Sequence, residues 1–217
     1  MIIVIQCAAK KREAAGHLKL ANGRDVLFVA DPNRAPPSNA HIHAHPDDIS
    51  ETGLSWRDTL LRYNHATVEN ELKLCRAIEL YANPAYDKLA SSMGAANVYI
   101  LSAGWGLIRG DFLTPNYDIT FSAAAEPFKR RKGNDAYRDL RMLPEQSSEP
   151  IVFFGGKDYV TLFCELTKST KAGRTIFFNS GSPPLAPGCS LVRYETTTRT
   201  NWHYQCLNEF LDGSIGL

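Results

Sequence analysis

The chain has 217 residues and a formal net charge of +1, from 24 Lys+Arg against 23 Asp+Glu. Apolar residues make up 44% and charged residues 22%, the balance of an ordinary folded domain. Those values exclude a collagen-like, disordered or disulfide-dense chain, and the near-zero net charge excludes attachment to nucleic acid by bulk charge alone.

Ile2 to Cys7 is a continuous apolar run and predicts a buried strand. It is far too short to span a bilayer, and its cations, Lys10, Lys11 and Arg12, follow it, the wrong order for a signal peptide. The expectation is a cytoplasmic protein with no membrane partner. Val26 to Ala30 predicts a second strand, closed by the turn signal Asp31-Pro32-Asn33. Residues 31–55 are rich in His, Pro and Asp, show no sustained period and predict a long loop. From Trp56 the apolar spacing predicts helix to about Leu80, broken near Asn64. Pro84 starts a further helix with Asn83 as its cap, ended by Gly94. Val98 to Leu101 predicts a strand that runs into the small-residue turn Ser102 to Gly106. Residues 122–143 are strongly basic and predict helix in parts. Three more strands are predicted at Ile151 to Phe154, Thr175 to Phe178 and Leu191 to Tyr194. Helices are predicted at Asp158 to Thr167 and Asn201 to Leu211.

Short apolar strands separated by helices give the fold class. It is α/β, three-layered, with a mostly parallel central sheet and helices on both faces, in a single domain spanning 1–217. Ligands of such folds bind at the carboxyl ends of the strands. That rule directs attention to the segments following Cys7, Ala30, Ser102, Gly155 and Asn179. The five cysteines form no Cys-x-x-Cys pair, so they predict reduced thiols rather than a zinc knuckle or redox dithiol.

The segment from Val98 to Thr120 carries the most information. A strand leads into Ser102-Ala103-Gly104-Trp105-Gly106-Leu107-Ile108, and a loop then closes in Pro115-Asn116-Tyr117-Asp118. This resembles the YaaA-like family of peroxide stress proteins and their small relatives. One departure is Asn116, which separates Pro115 from Tyr117. Ala77, Glu79, Leu80 and Tyr81, and the first strand running into Cys7 and Lys10, are similar to the same family. The resemblance implies DNA as partner, a role in DNA protection or defence, and by fold analogy a core like that of uracil-DNA glycosylases.

The residues themselves permit a specific chemistry. Gly104 and Gly106 allow close approach of backbone to a ligand. Trp105, with Ser102 and Gly106 beside it, offers a surface for stacking a base. Asn116 has the donor and acceptor to read a base edge. Asp118, helped by Tyr117, can stabilise the cationic sugar that forms when a glycosidic bond breaks. The plainer alternative is that Tyr117 and Asp118 pin the loop. Asn179 and Ser180 offer small polar groups for a base or phosphate, or form an ordinary turn. Gly155-Gly156 opens a helix and can cradle phosphate without P-loop spacing. Lys10, Lys129, Arg130, Arg131, Lys132 and Arg138 are the candidates for a DNA backbone; a solvated face is the alternative.

His41, His43 and His45, followed by Asp47 and Asp48, are metal-ligating residue types, and an extended chain puts three imidazoles on one side. The His-Pro-Asp-Asp string lies in a Pro-rich loop with no later His-x-x-His. No metal and no other cofactor is therefore expected, and these histidines are the residues that would hold one.

The leading expectation is a DNA N-glycosylase that flips a nucleobase, a modified one by preference, and leaves an abasic site. The alternatives are a non-catalytic DNA-binding stress protein and a metal-dependent hydrolase using the histidine cluster.

Overall fold

A computed structural model describes residues 1–66 and 69–217. In chain order the strands and helices are β1 (Ile2–Gln6), β2 (Leu18–Lys19), β3 (Asp25–Phe28), β4 (His41–Ala44), α1 (Trp56–Ala66), β5 (Cys75–Arg76), α2 (Pro84–Met93), β6 (Val98–Ser102), β7 (Gly106–Arg109), β8 (Leu113–Thr114), β9 (Leu140–Arg141), β10 (Ile151–Phe154), α3 (Lys157–Thr167), β11 (Arg174–Phe178), β12 (Ser190–Arg193) and α4 (Trp202–Leu211).

Seven strands form the central sheet in the order β12-β11-β10-β1-β6-β7-β9. Every pairing in it is parallel except the β6-β7 hairpin. The α/β class with a mostly parallel central sheet is as the apolar strand pattern requires. The alternation of side chains along β10 shows why helices cover both faces. Phe153 stacks on Phe163 of α3, ring centroids 4.7 Å apart, whereas its neighbour Phe154 packs on Phe210 of α4 at 5.4 Å. Val98 through Leu101 and Ile151 through Phe154 are all buried, which explains runs with no polar face.

The chain leaves β1 on one side to build β6, and later returns to the other side to build β10. The strand order therefore reverses between β1 and β10. In open α/β sheets a crevice opens at that point, outside the carboxyl ends of the strands.

Three local predictions are corrected. The stretch 31–55 is not a continuous loop. Its residues 41–44 form β4, which pairs in parallel with β3 in a separate three-stranded sheet. The histidines hid the strand, because among the neighbouring Pro and Asp residues they give the stretch the composition of a loop. The helix expected to about Leu80 ends as α1 at Ala66, residues 67 and 68 lie outside the described residues, and β5 and a 3-10 turn over Ala77–Glu79 follow. The helix outlasts the break expected at Asn64, since that amide bonds back to Leu60 O and across to Leu113 O. Leu74, Ala77, Ile78 and Leu80 are buried through irregular backbone that includes a positive φ at Lys73. The basic stretch 122–143 holds no α-helix. It contains a 3-10 turn over Pro127–Lys129 and strand β9.

Candidate functional site

The sequence-predicted loop is a structural centre rather than an open surface. Trp105 and Ser102 are fully buried. The Trp105 ring packs edge-on against Phe28, centroids 5.0 Å apart, and against Tyr117 at 6.4 Å. With no exposed face, Trp105 is not a stacking platform for a base, and that assignment is corrected. Gly106, at φ +89°, approaches backbone and not ligand: a Cβ there would lie 2.7 Å from Leu140 N and O. Gly104 lies against Tyr117 and Ile119.

Residues 116–120 run extended beside β3, with Asp118 N donating to Phe28 O at 2.7 Å. Period-two alternation then decides their roles. Tyr117 and Ile119 are buried, while Asn116, Asp118 and Thr120 are half-exposed. Ser102 Oγ donates to Tyr117 Oη at 2.9 Å, and the hydroxyls of Tyr117 and Tyr81 share a bond at 2.9 Å. Burial pushes the Tyr117 and Tyr81 phenols well above their ordinary range. Tyr117 therefore serves as a neutral core hydrogen-bonding group and touches no solvent-accessible reacting atom. Asp118 is held by Lys129, Oδ2 to Nζ 2.9 Å.

Much of the basic segment is compensated. Arg131 is buried, paired with Asp139 at 2.8 Å, bonded to Ala103 O at 2.9 Å, and stacked over Tyr137. It cannot meet a phosphate backbone, and that assignment is corrected. Lys129 also reaches Glu126 at 2.7 Å, and Arg138 reaches Asp58 at 3.2 Å. Arg130 is half-exposed and Lys132 is exposed.

The histidines do not converge as three. His41 and His43 meet, Nε2 to Nε2 3.2 Å, but His45 packs on the Tyr137 ring at 4.4 Å. Burial, then the neighbouring His41, lowers the pKa of His43. Among the described residues no group of three or more His, Cys, Asp or Glu is gathered for a metal ion. Asp47 serves the fold instead. It pairs with buried Arg57 at 2.6 Å, and that guanidinium donates to Gly104 O and Trp105 O, both at 3.1 Å.

The accessible site lies elsewhere, in the crevice between β1 and β10. Its larger lobe has a volume of about 630 Å³ and takes residues from five places, one of them Ala82 and Asn83 at the start of α2. Gln6, Cys7 and Lys10 follow β1, Gly156, Asp158 and Tyr159 open α3, Thr120 and Ser122 come from the 116–122 segment, and Arg199, Asn201, His203 and Tyr204 lead into α4. A smaller lobe of about 270 Å³ adjoins it after β10 and β11, with Gly155, Lys157, Asn179 and Ser180 in its wall. Gly156, Asp158, Arg199 and Trp202 belong to both lobes. The strand-end rule thus located the segments after Cys7, Gly155 and Asn179. Lys10, Asn179 and Ser180 come together here; Asn116, Trp105 and Asp118 do not line either lobe.

Three helix N-termini border this space; that of α2 is capped by Asn83, whereas those of α3 and α4 have no side-chain cap. Unsatisfied N–H groups and the positive end of the helix dipole favour an anion at such a place. Lys10, Lys157 and Arg199 are exposed around it. Asn201, the residue that caps α4, is left-handed at φ 61°, a conformation Asn tolerates better than most. The floor is aromatic and hydroxylic: Cys7 Sγ lies 3.1 Å from Tyr159 Oη, and Tyr86 Oη donates to Gln6 O at 2.6 Å. Burial raises the Tyr159 phenol well above its ordinary range.

His203 is the residue that strand-end reasoning missed. It is 4% exposed, it lines the larger lobe, and its Nε2 is buried with no hydrogen-bond partner. Burial lowers its pKa to about 4. A histidine in the first turn of an amphipathic helix has the sequence appearance of a core residue, so no sequence signal marked it.

The model of a family of unknown function (DUF6884) matches residues 66–177, more than half of the chain. The chain belongs to that family. The matched region runs from β5 into β11 and so includes α2, the 98–120 segment and all of α3. No curated protein and no solved structure matches the chain. Among the described residues no helix is long and apolar enough to cross a membrane.

Proposed function

We propose that the crevice between β1 and β10 holds a nucleotide unit and that the protein cleaves its N-glycosidic bond, the nucleotide being extruded from DNA. The observation that carries this reading is the pairing of two lobes across uncapped helix N-termini. The smaller lobe suits a phosphate, with Lys157, Asn179, Ser180 and the α3 amides around it. The larger lobe has the volume of a small-molecule site and suits the sugar and base. The similarity of residues 98–120 to the YaaA-like family supports DNA as the source of the nucleotide, and the exposed Lys10 and Arg199 suit its flanking phosphates.

Among the described residues Asp158 is the only carboxylate in the wall of either lobe. It replaces Asp118 as the group that offsets positive charge on the sugar as the bond breaks. The bond between C1′ and the base nitrogen breaks with its electron pair going to the base. Water oxygen then bonds to C1′, and a water proton ends on the departing base. His203 is neutral near pH 7 and so adds no competing positive charge beside the sugar.

The test is release of free base from DNAs carrying ordinary and modified bases, in the presence of EDTA. Asp158→Asn is expected to abolish release and retain DNA, while Asp118→Asn keeps most of the activity. DNA retention without release from any substrate would favour a purely DNA-binding role. Release that depends on added metal would favour the histidine pair on β4.

A further inference from the structure

Among the described residues the crevice contains one polar atom whose state the folded chain alone does not explain. His203 Nε2 is buried and unpartnered, although buried polar groups nearly always find a partner. The ring is fixed from its own helix: it lies 4.1 Å from the Tyr204 ring and 6.1 Å from that of Trp202, centroid to centroid. Tyr204 is in turn tied to Tyr86, hydroxyls 3.3 Å apart. His203 is thus held in place by packing with its polar edge unused. An unsatisfied buried group destabilises the empty protein, and such sacrifices concentrate at binding sites.

We infer that His203 is a specificity-determining residue, and that its Nε2 makes a hydrogen bond to the base of the nucleotide bound in the larger lobe. This rests on the nucleotide reading of the crevice. The hydrogen bond needs no charge: the neutral ring presents one nitrogen as donor and the other as acceptor. Asn83 and Asn201 line the same lobe and offer further amide edges. A base presents a fixed pattern of donors and acceptors at its rim, so an imidazole in the wall of the lobe discriminates among bases through the cost of leaving the nitrogen unpaired. His203 therefore acts on recognition, and a general acid role does not fit a group that stays neutral.

The experiment measures binding of the four 2′-deoxynucleoside 5′-monophosphates by calorimetry at neutral pH, together with the thermal midpoint of the free protein. Wild type is expected to bind and to prefer one base. His203→Phe, similar in shape but without the nitrogens, is expected to bind that nucleotide roughly tenfold more weakly and to melt at the same temperature or higher. His203→Gln, which places an amide at a similar depth, is expected to recover part of the affinity. If His203→Phe binds as wild type does, or if it melts lower with its affinity retained, Nε2 has no role in recognition and the inference falls alone. Failure of wild type to bind any of the four overturns the nucleotide reading, and the inference falls with it.

Discussion

Gln6 and Gly156 face each other across the seam between β1 and β10, and the Gln6 side-chain oxygen accepts the Gly156 N–H at 2.6 Å. Each residue is the first beyond or last within its strand's buried run, and both line the crevice. The bond takes up the amide at the α3 cap position, and the first turn beyond it has no side-chain cap. Gln6→Leu removes the acceptor and keeps the size. Its expected cost is about 1–2 kcal/mol in urea denaturation, with weaker phosphate binding at α3. Unchanged stability would mean that water replaces the amide without loss.

Trp105 fills the junction between the central sheet and the small β2-β3-β4 sheet. Trp105→Ala is expected to cost about 3–5 kcal/mol, as large-to-small changes in a packed core do. Equilibrium denaturation measures it. A variant as stable as wild type would show that the ring is not packed between Phe28 and Tyr117.

Arg57 and Asp47 form a buried pair in which the side chains are 2% and 15% exposed. Removing one partner strands the other, so Asp47→Asn or Arg57→Met is expected to cost about 3–5 kcal/mol. The double change is expected to cost less than the two single changes added together, which a double-mutant cycle reads directly. Burial alone raises the Asp47 pKa, but the Arg57 hydrogen bond and the Arg138 N–H outweigh it and hold the carboxyl below its usual 3.8. The pair's contribution is therefore fully present above that pH. It declines as the pH falls below it and is gone once the folded-state carboxyl is protonated.

His203 gives stability a pH slope of its own. Its folded-state pKa is about 4 against an ordinary 6.5. Between those values the unfolded chain binds the proton and the folded chain does not, so stability falls as the pH is lowered through this window. The expected loss is about 3 kcal/mol by linkage. His203→Phe is expected to flatten that part of the profile, measured as unfolding free energy against pH. A profile identical to wild type would place the ring in water.

Much of the fold was legible because buried parallel strands leave an unambiguous trace. Val98 to Leu101 and Ile151 to Phe154 are apolar at every position since both faces are covered, and Asn83-Pro84 announces a helix start by local chemistry. Asn83 Oδ1 does accept the Ala85 N–H at 2.9 Å. Strand β4 was not legible, because its pairing with β3 is a long-range choice and its histidines mimic loop composition. The basic run from Lys129 to Arg138 misled for a related reason. A sequence lists charges but not their partners, and Asp139, Asp58 and Asp118 reach those cations only through the fold.

The sequence by itself determined the apolar strands β1, β3, β6, β10, β11 and β12, most helices and the strand ends at which the crevice opens, because burial on both faces and capping chemistry are written locally. Only the tertiary structure decided which polar residues reach the crevice. Tyr117 and Trp105 turn inward because the 116–120 segment alternates against β3 and the glycine turn packs on Leu140. His203 and Asp158 reach the cavity because α3 and α4 start at its edge. Side-chain direction depends on how distant elements dock, and that information is carried by no single segment of the chain.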